Sequence, residues 1–181
     1  MAREWRRRLR RSMSSTVIAL LLGGMTFGVR AEGDRSTGAL PRVRTTNTAI
    51  ATLLTEASTR SSTFRELVRT IERTDGIVYV EPGQCRHGVR ACLSLSITGA
   101  GGFRILRVLV DLATNAIELM ATIGHELRHA LEILAEPNVR STPDAWLYYA
   151  RVAPTSLGVF ETEAAITAGL AVERELNRSR W

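Results

Sequence analysis

Residues 122–134 read TIGHELRHALEIL and lie at the centre of a longer apolar pattern. The pattern repeats every three or four residues, at Ile117, Met120, Ile123, Leu127, Ala130, Leu131 and Leu134. This spacing puts the apolar side chains on one face of an α-helix, and Glu136-Pro137 then ends that helix. We therefore predict a helix from about Thr114 to Ala135 whose apolar stripe faces the core.

A second face of this predicted helix is polar. At about 100° per residue it carries Glu118, Thr122, His125, His129, Glu132 and Glu136. Both of its histidines point the same way, away from the main apolar stripe. They are two of only three histidines in the whole chain.

His125, Glu126 and His129 form the pattern H-E-x-x-H. Two imidazoles one helical turn apart can direct ring nitrogens at a common zinc ion, with the intervening glutamate as general base. A catalytic zinc needs a third protein ligand and an open position for water, whose pKa the metal lowers. The competing interpretation is a solvated helix face on which carboxylates and imidazoles pair without any metal.

Carboxylates on a later element are the candidates for the third ligand. They lie in FETEAA, residues 160–165, on a helix predicted from about Gly158 to Asn177. With this stretch the sequence resembles the gluzincins, H-E-x-x-H metallopeptidases whose third ligand is a Glu on a following helix. The resemblance covers about residues 105–176 and depends on G-H-E-L-x-H-A and an E-x-x-A step. The chain also resembles small exported bacterial proteins with the same helix pair.

The resemblance implies a role for each matching residue. His125 and His129 match the zinc histidines, Glu126 matches the general base, and Glu161 matches the third ligand, with Glu163 as second choice. The implied cofactor is one Zn²⁺ per chain, and the implied substrate is a peptide or protein. In gluzincins an edge strand often holds that substrate by main-chain pairing, and here the strand before the active helix is the candidate.

One position departs from the gluzincin pattern. Many gluzincins have an Asp four residues after the ligand Glu, where it orients a zinc histidine, but this chain has Ala165 there. Glu118, Asp111 or a backbone carbonyl is then expected to orient the imidazoles. The group that would stabilise a developing oxyanion is unassigned among Tyr148, Tyr149 and His87.

The rest of the chain predicts an α+β fold, a minimal zincin-like domain over residues 47–181. A first helix runs from about Asn47 to Ala57, and a second begins at Thr63, with a Thr63/Glu66 capping box, and stops at Gly76. Three strands follow, and their short connections predict an antiparallel meander. Those strands are 76–82, 91–98 and 103–112, and AWLYYAR (145–151) is a further short helix or strand.

Cys85 and Cys92 are the only cysteines. In an oxidising compartment they can pair and close a loop around RHGVRA. The alternative is a metal cluster of Cys85, His87 and Cys92, although thiolate clusters normally need more ligands at tighter spacing. We favour the disulfide.

The N-terminus predicts export. Residues 1–31 combine an Arg-rich start, an apolar stretch at 16–28 and a small-residue cleavage site, as in a signal peptide. We expect a mature chain from about Glu32, with 32–46 as a loose lead-in, located in the periplasm or outside the cell. The alternative is an uncleaved N-terminal membrane anchor.

The net charge of +6 comes from that leader. Residues 1–31 hold seven of the 24 arginines and one of the 18 acidic residues, so the remaining 17 arginines and 17 acids balance. No excess of basic residues is left to bind nucleic acid. The prediction is thus an exported zinc-dependent peptidase, and the alternative is a non-catalytic, metal-binding or metal-free interaction protein on the same scaffold.

Overall fold

The computed structural model describes residues 40–85, 88–113, 115–153 and 160–178. In these ranges the elements are β1 (Val43–Arg44), α1 (Thr48–Arg60), α2 (Ser62–Glu72), β2 (Gly76–Pro82), β3 (Ala91–Ala100), β4 (Phe103–Val110), α3 (Ala116–Leu134), α4 (Thr142–Val152) and α5 (Glu163–Arg178). The predicted signal peptide, most of the 32–46 lead-in and His87 lie outside them. None of the helices in these ranges is long and apolar enough to cross a membrane.

The predicted α+β class is confirmed, but the predicted antiparallel meander is wrong. The sheet is mixed, with strand order β1-β2-β4-β3. β2 pairs with β4 in parallel, from Gly76 opposite Arg104 to Pro82 opposite Val110, whereas β3 pairs with β4 antiparallel. The meander prediction failed because the loop after β2 carries the chain past the β4 position, and β4 then returns between its two neighbours.

β4 is therefore a central strand, and β3 is one of the two edge strands, with β1 at the other edge. The β3–β4 hairpin turns at Gly101 and Gly102, whose φ angles of 57° and 83° favour glycine. The register shifts between Ser94 and Thr98, which is a bulge in the edge strand. The expectation that the strand before the active helix offers a free edge is thus wrong, because β3 covers that side of β4.

One face of the sheet holds the core. Alternate side chains of β2 and β4 are buried there, and the helices pack over them, as the period-2 pattern of the strands requires. The buried residues are Val78, Val80, Leu106, Val108 and Val110. The opposite face carries half-buried and exposed side chains.

α3 lies against this core almost throughout its length. Asn115 caps its first turn by accepting hydrogen bonds from the backbone N–H groups of Ile117 and Glu118. The predicted apolar stripe is confirmed, since all seven of its residues are buried. Several polar side chains of α3 are also buried: His129 and Glu132 of the polar face are 4% and 8% exposed, and the adjacent Glu126 is 7% exposed. α3 is thus a core helix whose polar side chains need partners inside the protein.

The end of α3 is held by a buried side chain from the sheet. Arg104 of β4 is 4% exposed and pairs with the carboxylate of Asp75 at 2.6 Å. Its guanidinium also donates to the carbonyl oxygens of Ile133, Leu134, Glu136 and Val139. One arginine thus satisfies carbonyls that a helix C-terminus leaves unpaired.

The predicted Thr63/Glu66 capping box is wrong. α2 begins one residue earlier and is capped by Ser61, whose hydroxyl accepts from the N–H of Phe64. Thr63 instead donates its own N–H and hydroxyl to Glu175 of α5.

The predicted stop of α2 at Gly76 is also wrong, since α2 ends at Glu72. A Cβ at Gly76 would lie 2.3 Å from Leu134, so this glycine permits close packing of β2 on α3.

Of the last two helices, α4 contacts β3, whereas α5 packs against α3, α2 and α1. The AWLYYAR segment is helical within α4, which a Ser141/Asp144 capping box begins. α5 begins at Glu163, so the predicted start near Gly158 is too early. Residues 154–159 lie outside the described ranges. α5 packs along α3 where glycines allow close approach: a Cβ at Gly124 would lie 2.9 Å from Val172.

Candidate metal centre

α3 and the segment before α5 bring three potential ligands together. Single ligand atoms of His125, His129 and Glu161 all lie within 4.8 Å of one another. The Nε2 atom of His125 is 3.3 Å from the nearer Glu161 oxygen, and the two imidazole centroids are 4.8 Å apart. The group contains Glu161, the first choice of the sequence analysis, and not Glu163. Two nitrogens and one carboxylate oxygen are ligands suited to zinc.

The sequence predicted that Glu161 lies on the last helix, but in the structure it lies before that helix begins. It precedes the first residue of α5 by two positions, and its side chain is 44% exposed, whereas His125 is 14% exposed. The cluster is thus open to solvent on the Glu161 side and closed on the side of His129. Such one-sided exposure would leave room for water or a substrate at a metal.

A buried nitrogen without a partner supports the metal interpretation. The Nδ1 atom of His129 lies 3.0 Å from a Glu132 oxygen, and since a carboxylate only accepts, Nδ1 carries the proton. Nε2 is then a bare lone pair, and it is buried with no hydrogen-bond partner among the described residues. Buried polar atoms normally have a partner, so this one needs an explanation, and a metal ion supplies it.

The three candidate ligand atoms are slightly farther apart than they would be around a bound zinc ion. Two atoms that each bond one zinc at about 2 Å are at most about 4 Å apart. The widest separation of 4.8 Å therefore has to close by somewhat less than 1 Å. Side-chain rotamer adjustments can close a gap of this size.

Glu126 lies beside the cluster. One of its oxygens accepts a 2.7 Å hydrogen bond from the backbone N–H of Leu93 on β3, and the other is 3.9 Å from Nε2 of His125. Burial raises the pKa of the Glu126 carboxyl, which the nearby imidazoles and the Leu93 N–H only partly offset. The edge strand thus holds the candidate base with one oxygen directed at the candidate ligands.

The electrostatics of His125 are set by its carboxylate neighbours. Burial alone would lower the pKa of His125, but its interaction with Glu161 and the negative charge of Glu126 outweigh burial and raise that pKa. Without a metal, these carboxylates therefore stabilise the protonated, positively charged form of His125. A divalent cation would take over that charge.

Asp111, one of the candidates expected to orient the imidazoles, has other partners. Asp111 accepts hydrogen bonds from Arg90 and from the N–H of Ala113. At His129 the partner is Glu132, one turn further along α3. Burial would raise the pKa of Glu132, but hydrogen bonds from His129 and Thr162 lower it. Its i,i+3 spacing from His129 is the sequence signal that could have identified it.

Two of the proposed oxyanion residues can be located. Tyr149 is buried, and its hydroxyl donates to the carbonyl of His129 at 2.9 Å, so it supports α3. Tyr148 is half-buried and packs edge-on against Tyr149. His87 lies outside the described residues, and Ala165, where gluzincins often have Asp, is fully buried.

The Cys85–Cys92 disulfide is confirmed, with the two Cα atoms 5.9 Å apart. Because both sulfurs are bonded to each other, the alternative thiolate cluster is wrong. Cys92 directly precedes Leu93, so the bridge fixes the start of the strand that holds Glu126. The disulfide is compatible with an oxidising compartment.

Comparison of the chain with protein-family models, with curated proteins and with solved structures finds no match.

Proposed function

We propose that this protein is an exported zinc-dependent peptidase in which His125, His129 and Glu161 bind the metal and Glu126 is the general base. One observation carries the proposal. Three ligand atoms of His125, His129 and Glu161 within 4.8 Å of one another adjoin the buried carboxylate of Glu126, and the buried Nε2 atom of His129 has no partner among the described residues. This arrangement matches what hydrolysis by an H-E-x-x-H site requires.

Each residue has a defined task. When bound, zinc supplies a Lewis acid that polarises the scissile carbonyl and lowers the pKa of water. Glu126 accepts a proton from the attacking water with the oxygen that faces the ligands, while the Leu93 N–H holds its other oxygen. The water oxygen bonds to the carbonyl carbon, and Glu126 returns the proton to the amide nitrogen as the C–N bond breaks. The products are a carboxylate and an ammonium group, because the second proton of the water also passes to the leaving nitrogen.

The substrate is proposed to be a peptide or an extended protein segment. β3 is the edge of the sheet beside α3, and the Leu93–Glu126 bond places this edge at the candidate site. Main-chain groups of an edge strand can pair with an extended chain. The polypeptide would thus approach β3, and not β4 as the sequence suggested.

Export is part of the proposal. It rests on the Arg-rich and apolar leader of residues 1–31 and on the Cys85–Cys92 disulfide. In a cell with two membranes the expected location is the periplasm. The test of this part is N-terminal sequencing of the protein recovered outside the cytoplasm, with a start at about Glu32.

The function is tested by metal content and by a single substitution. The exported, purified chain should contain one zinc per molecule by elemental analysis and should cleave unfolded casein. Glu126→Gln should retain the zinc but lose cleavage by at least about 100-fold, since general-base catalysis typically contributes that much. Absence of stoichiometric zinc would refute the metal site. A zinc-loaded Glu126→Gln protein as active as wild type would leave only the non-catalytic interaction protein.

A further inference from the structure

Glu132 connects three parts of the molecule around the candidate site. One of its oxygens accepts from Nδ1 of His129 at 3.0 Å and lies 3.5 Å from the hydroxyl of Tyr149. Its other oxygen accepts from the hydroxyl of Thr162 at 2.6 Å and lies 3.7 Å from the guanidinium of Arg128. Because this carboxylate is 8% exposed, these protein contacts take the place of water.

The bond to His129 selects which ring nitrogen is available. An ionised carboxylate has no proton to donate, so it fixes the proton on Nδ1 and leaves Nε2 as a lone pair. The ring is also prevented from turning, because rotation would break a buried charge-assisted hydrogen bond. His129 is thus held with Nδ1 on Glu132 and with its buried Nε2 free of partners among the described residues.

The bond to Thr162 acts on the third candidate ligand. Thr162 directly follows Glu161, and its hydroxyl also accepts from the N–H of Ala165 at the start of α5. A 2.6 Å hydroxyl–carboxylate distance is in the range of strong charge-assisted hydrogen bonds. Glu132 therefore restrains the backbone next to Glu161 relative to α3.

We propose that Glu132 and Thr162 form a positioning pair that aligns His129 and Glu161 for one metal ion. Glu132 on α3 thus accepts the hydrogen bond that orients a candidate histidine ligand. The fully buried Ala165, at the position where many gluzincins have Asp, cannot do this because alanine has no acceptor. Partners that orient ligands from outside the metal's own shell typically change metal affinity by about 10- to 100-fold. This inference rests on the metal site of the proposed function and names what sets its affinity.

The test is zinc affinity, measured by competition with a chromophoric chelator, rather than cleavage. Glu132→Gln should weaken zinc binding by about 10- to 100-fold, and Thr162→Val by about 10-fold. Thr162→Ser keeps the hydroxyl and should bind within about 3-fold of wild type. Because the two residues act as one unit, the double variant Glu132→Gln/Thr162→Val should bind scarcely more weakly than Glu132→Gln alone.

Matched controls separate positioning from a general loss of structure. Glu66→Gln and Thr52→Val make the same chemical changes at exposed helix positions and should leave zinc affinity unchanged. Cobalt-loaded samples report ligand geometry directly, so the visible absorption spectrum of Glu132→Gln should differ from wild type. A merely structural role for Glu132 would lower the unfolding temperature of the metal-free protein without changing that spectrum.

The outcomes distinguish this inference from the proposed function. If wild type binds no zinc, the proposed function fails, and the inference fails with it. If wild type binds zinc and both Glu132→Gln and Thr162→Val bind it equally tightly, the positioning pair is refuted while the metal site stands. If Glu132→Gln does not fold, the zinc affinities of Thr162→Val and Thr162→Ser are compared instead. Equal affinities of these two variants would refute the positioning pair.

Discussion

Some single side chains in this small domain hold several segments together, and Arg104 is the clearest case. It joins β4 to the end of α3 through five partner residues, four of which contribute only a carbonyl oxygen. Removing a buried ion from such a network leaves its partners without a hydrogen-bond donor in a poorly hydrated environment. α3 carries both candidate histidines, so the position of the site depends on this arginine.

We predict that Arg104→Met lowers the free energy of unfolding by about 3 kcal/mol, because Asp75 and the carbonyls at the end of α3 lose their donor. The measurement is urea denaturation followed by circular dichroism. Arg107→Met is the matched control on the same strand, since Arg107 is 45% exposed and its nearest carboxylate is 3.5 Å away. That control should change stability by less than about 1 kcal/mol. Equal effects of the two substitutions would contradict the role of Arg104.

Glu175 makes stability depend on pH. Burial opposes its ionisation, but donors from Ser61, Ser62 and Thr63 outweigh burial and lower its pKa from 4.5 to about 2. A carboxyl with a lowered pKa stabilises the fold at pH values above about 4.5. That contribution is lost as the pH falls through 4.5 towards 2, where the folded protein also takes up the proton.

The variant Glu175→Gln should therefore be less stable than wild type at pH 7, by about 1 kcal/mol for a partly exposed charge-assisted cap. The difference should shrink below pH 4.5 and vanish near pH 2. Thermal unfolding of both proteins between pH 2 and 7 measures it, and taking the difference removes the effect of all other titrating groups. A difference that does not depend on pH would show that the charge of Glu175 is not what stabilises the start of α2.

At the scale of elements, the contact between α3 and α5 decides the geometry of the site. Gly169 lets the α5 backbone approach His125, and a Cβ there would lie 3.1 Å from the His125 Cβ and 3.4 Å from the Ala121 carbonyl oxygen. The first of these distances is tighter than an ordinary contact, and the second is at the lower limit of ordinary contact. Any side chain at this position therefore separates the two helices or displaces His125.

We predict that Gly169→Ala weakens zinc binding by about 10-fold, comparable to the loss of an orienting partner. Stability should change little, since alanine gains about 1 kcal/mol of helix propensity while overpacking costs about 1–3 kcal/mol. Chelator competition and thermal unfolding measure the two effects. Gly99→Ala is the control, because a Cβ there meets nothing within 4 Å. Unchanged zinc affinity in Gly169→Ala would mean that the helix spacing does not position His125.

Local patterns predicted the helices better than the sheet. The 3.6-residue repeat located α3 within two residues, because its stripe from Ile117 to Leu134 depends only on neighbours in sequence. The parallel pairing of β2 with β4 is a non-local choice that the strand patterns do not encode. Likewise, Ser61, Ser62 and Thr63 are all good cap residues, and the choice among them is settled by Glu175, which is distant in sequence.

The candidate site could likewise be predicted from the sequence where it depends on local patterns, and not where it depends on non-local contacts. His125, Glu126 and His129 follow from one helical motif, and the structure brings Glu161 to the histidines. The helical position expected for Glu161 was wrong, since α5 starts only at Glu163. The contact of Leu93 with Glu126 was not predictable, because it depends on which strand becomes the edge.

At the scale of the whole molecule, the disulfide is a covalent constraint on the unfolded chain. It joins residues seven positions apart, and a loop of this size stabilises a fold by about 2 kcal/mol. The double substitution Cys85→Ser/Cys92→Ser should lower the free energy of unfolding by that amount in chemical denaturation. A reductant should produce a similar loss in wild type and none in the double variant. If reduction leaves wild-type stability unchanged, the bridge does not stabilise the fold.

The order of elements along the chain also determines when the site can assemble. β2 meets its long parallel partner only after residues 103–110 exist, since β4 lies between β2 and β3. α3 follows directly, and Glu161 comes only after α4. In a chain that emerges from synthesis or a translocation channel N-terminus first, the sheet thus lacks β4 until residue 110 has emerged, and the candidate ligand set lacks Glu161 until residue 161 has emerged. A metal at this cluster would therefore be loaded only after Glu161 has emerged, and a chain truncated before residue 161 would lack one of the three candidate ligands.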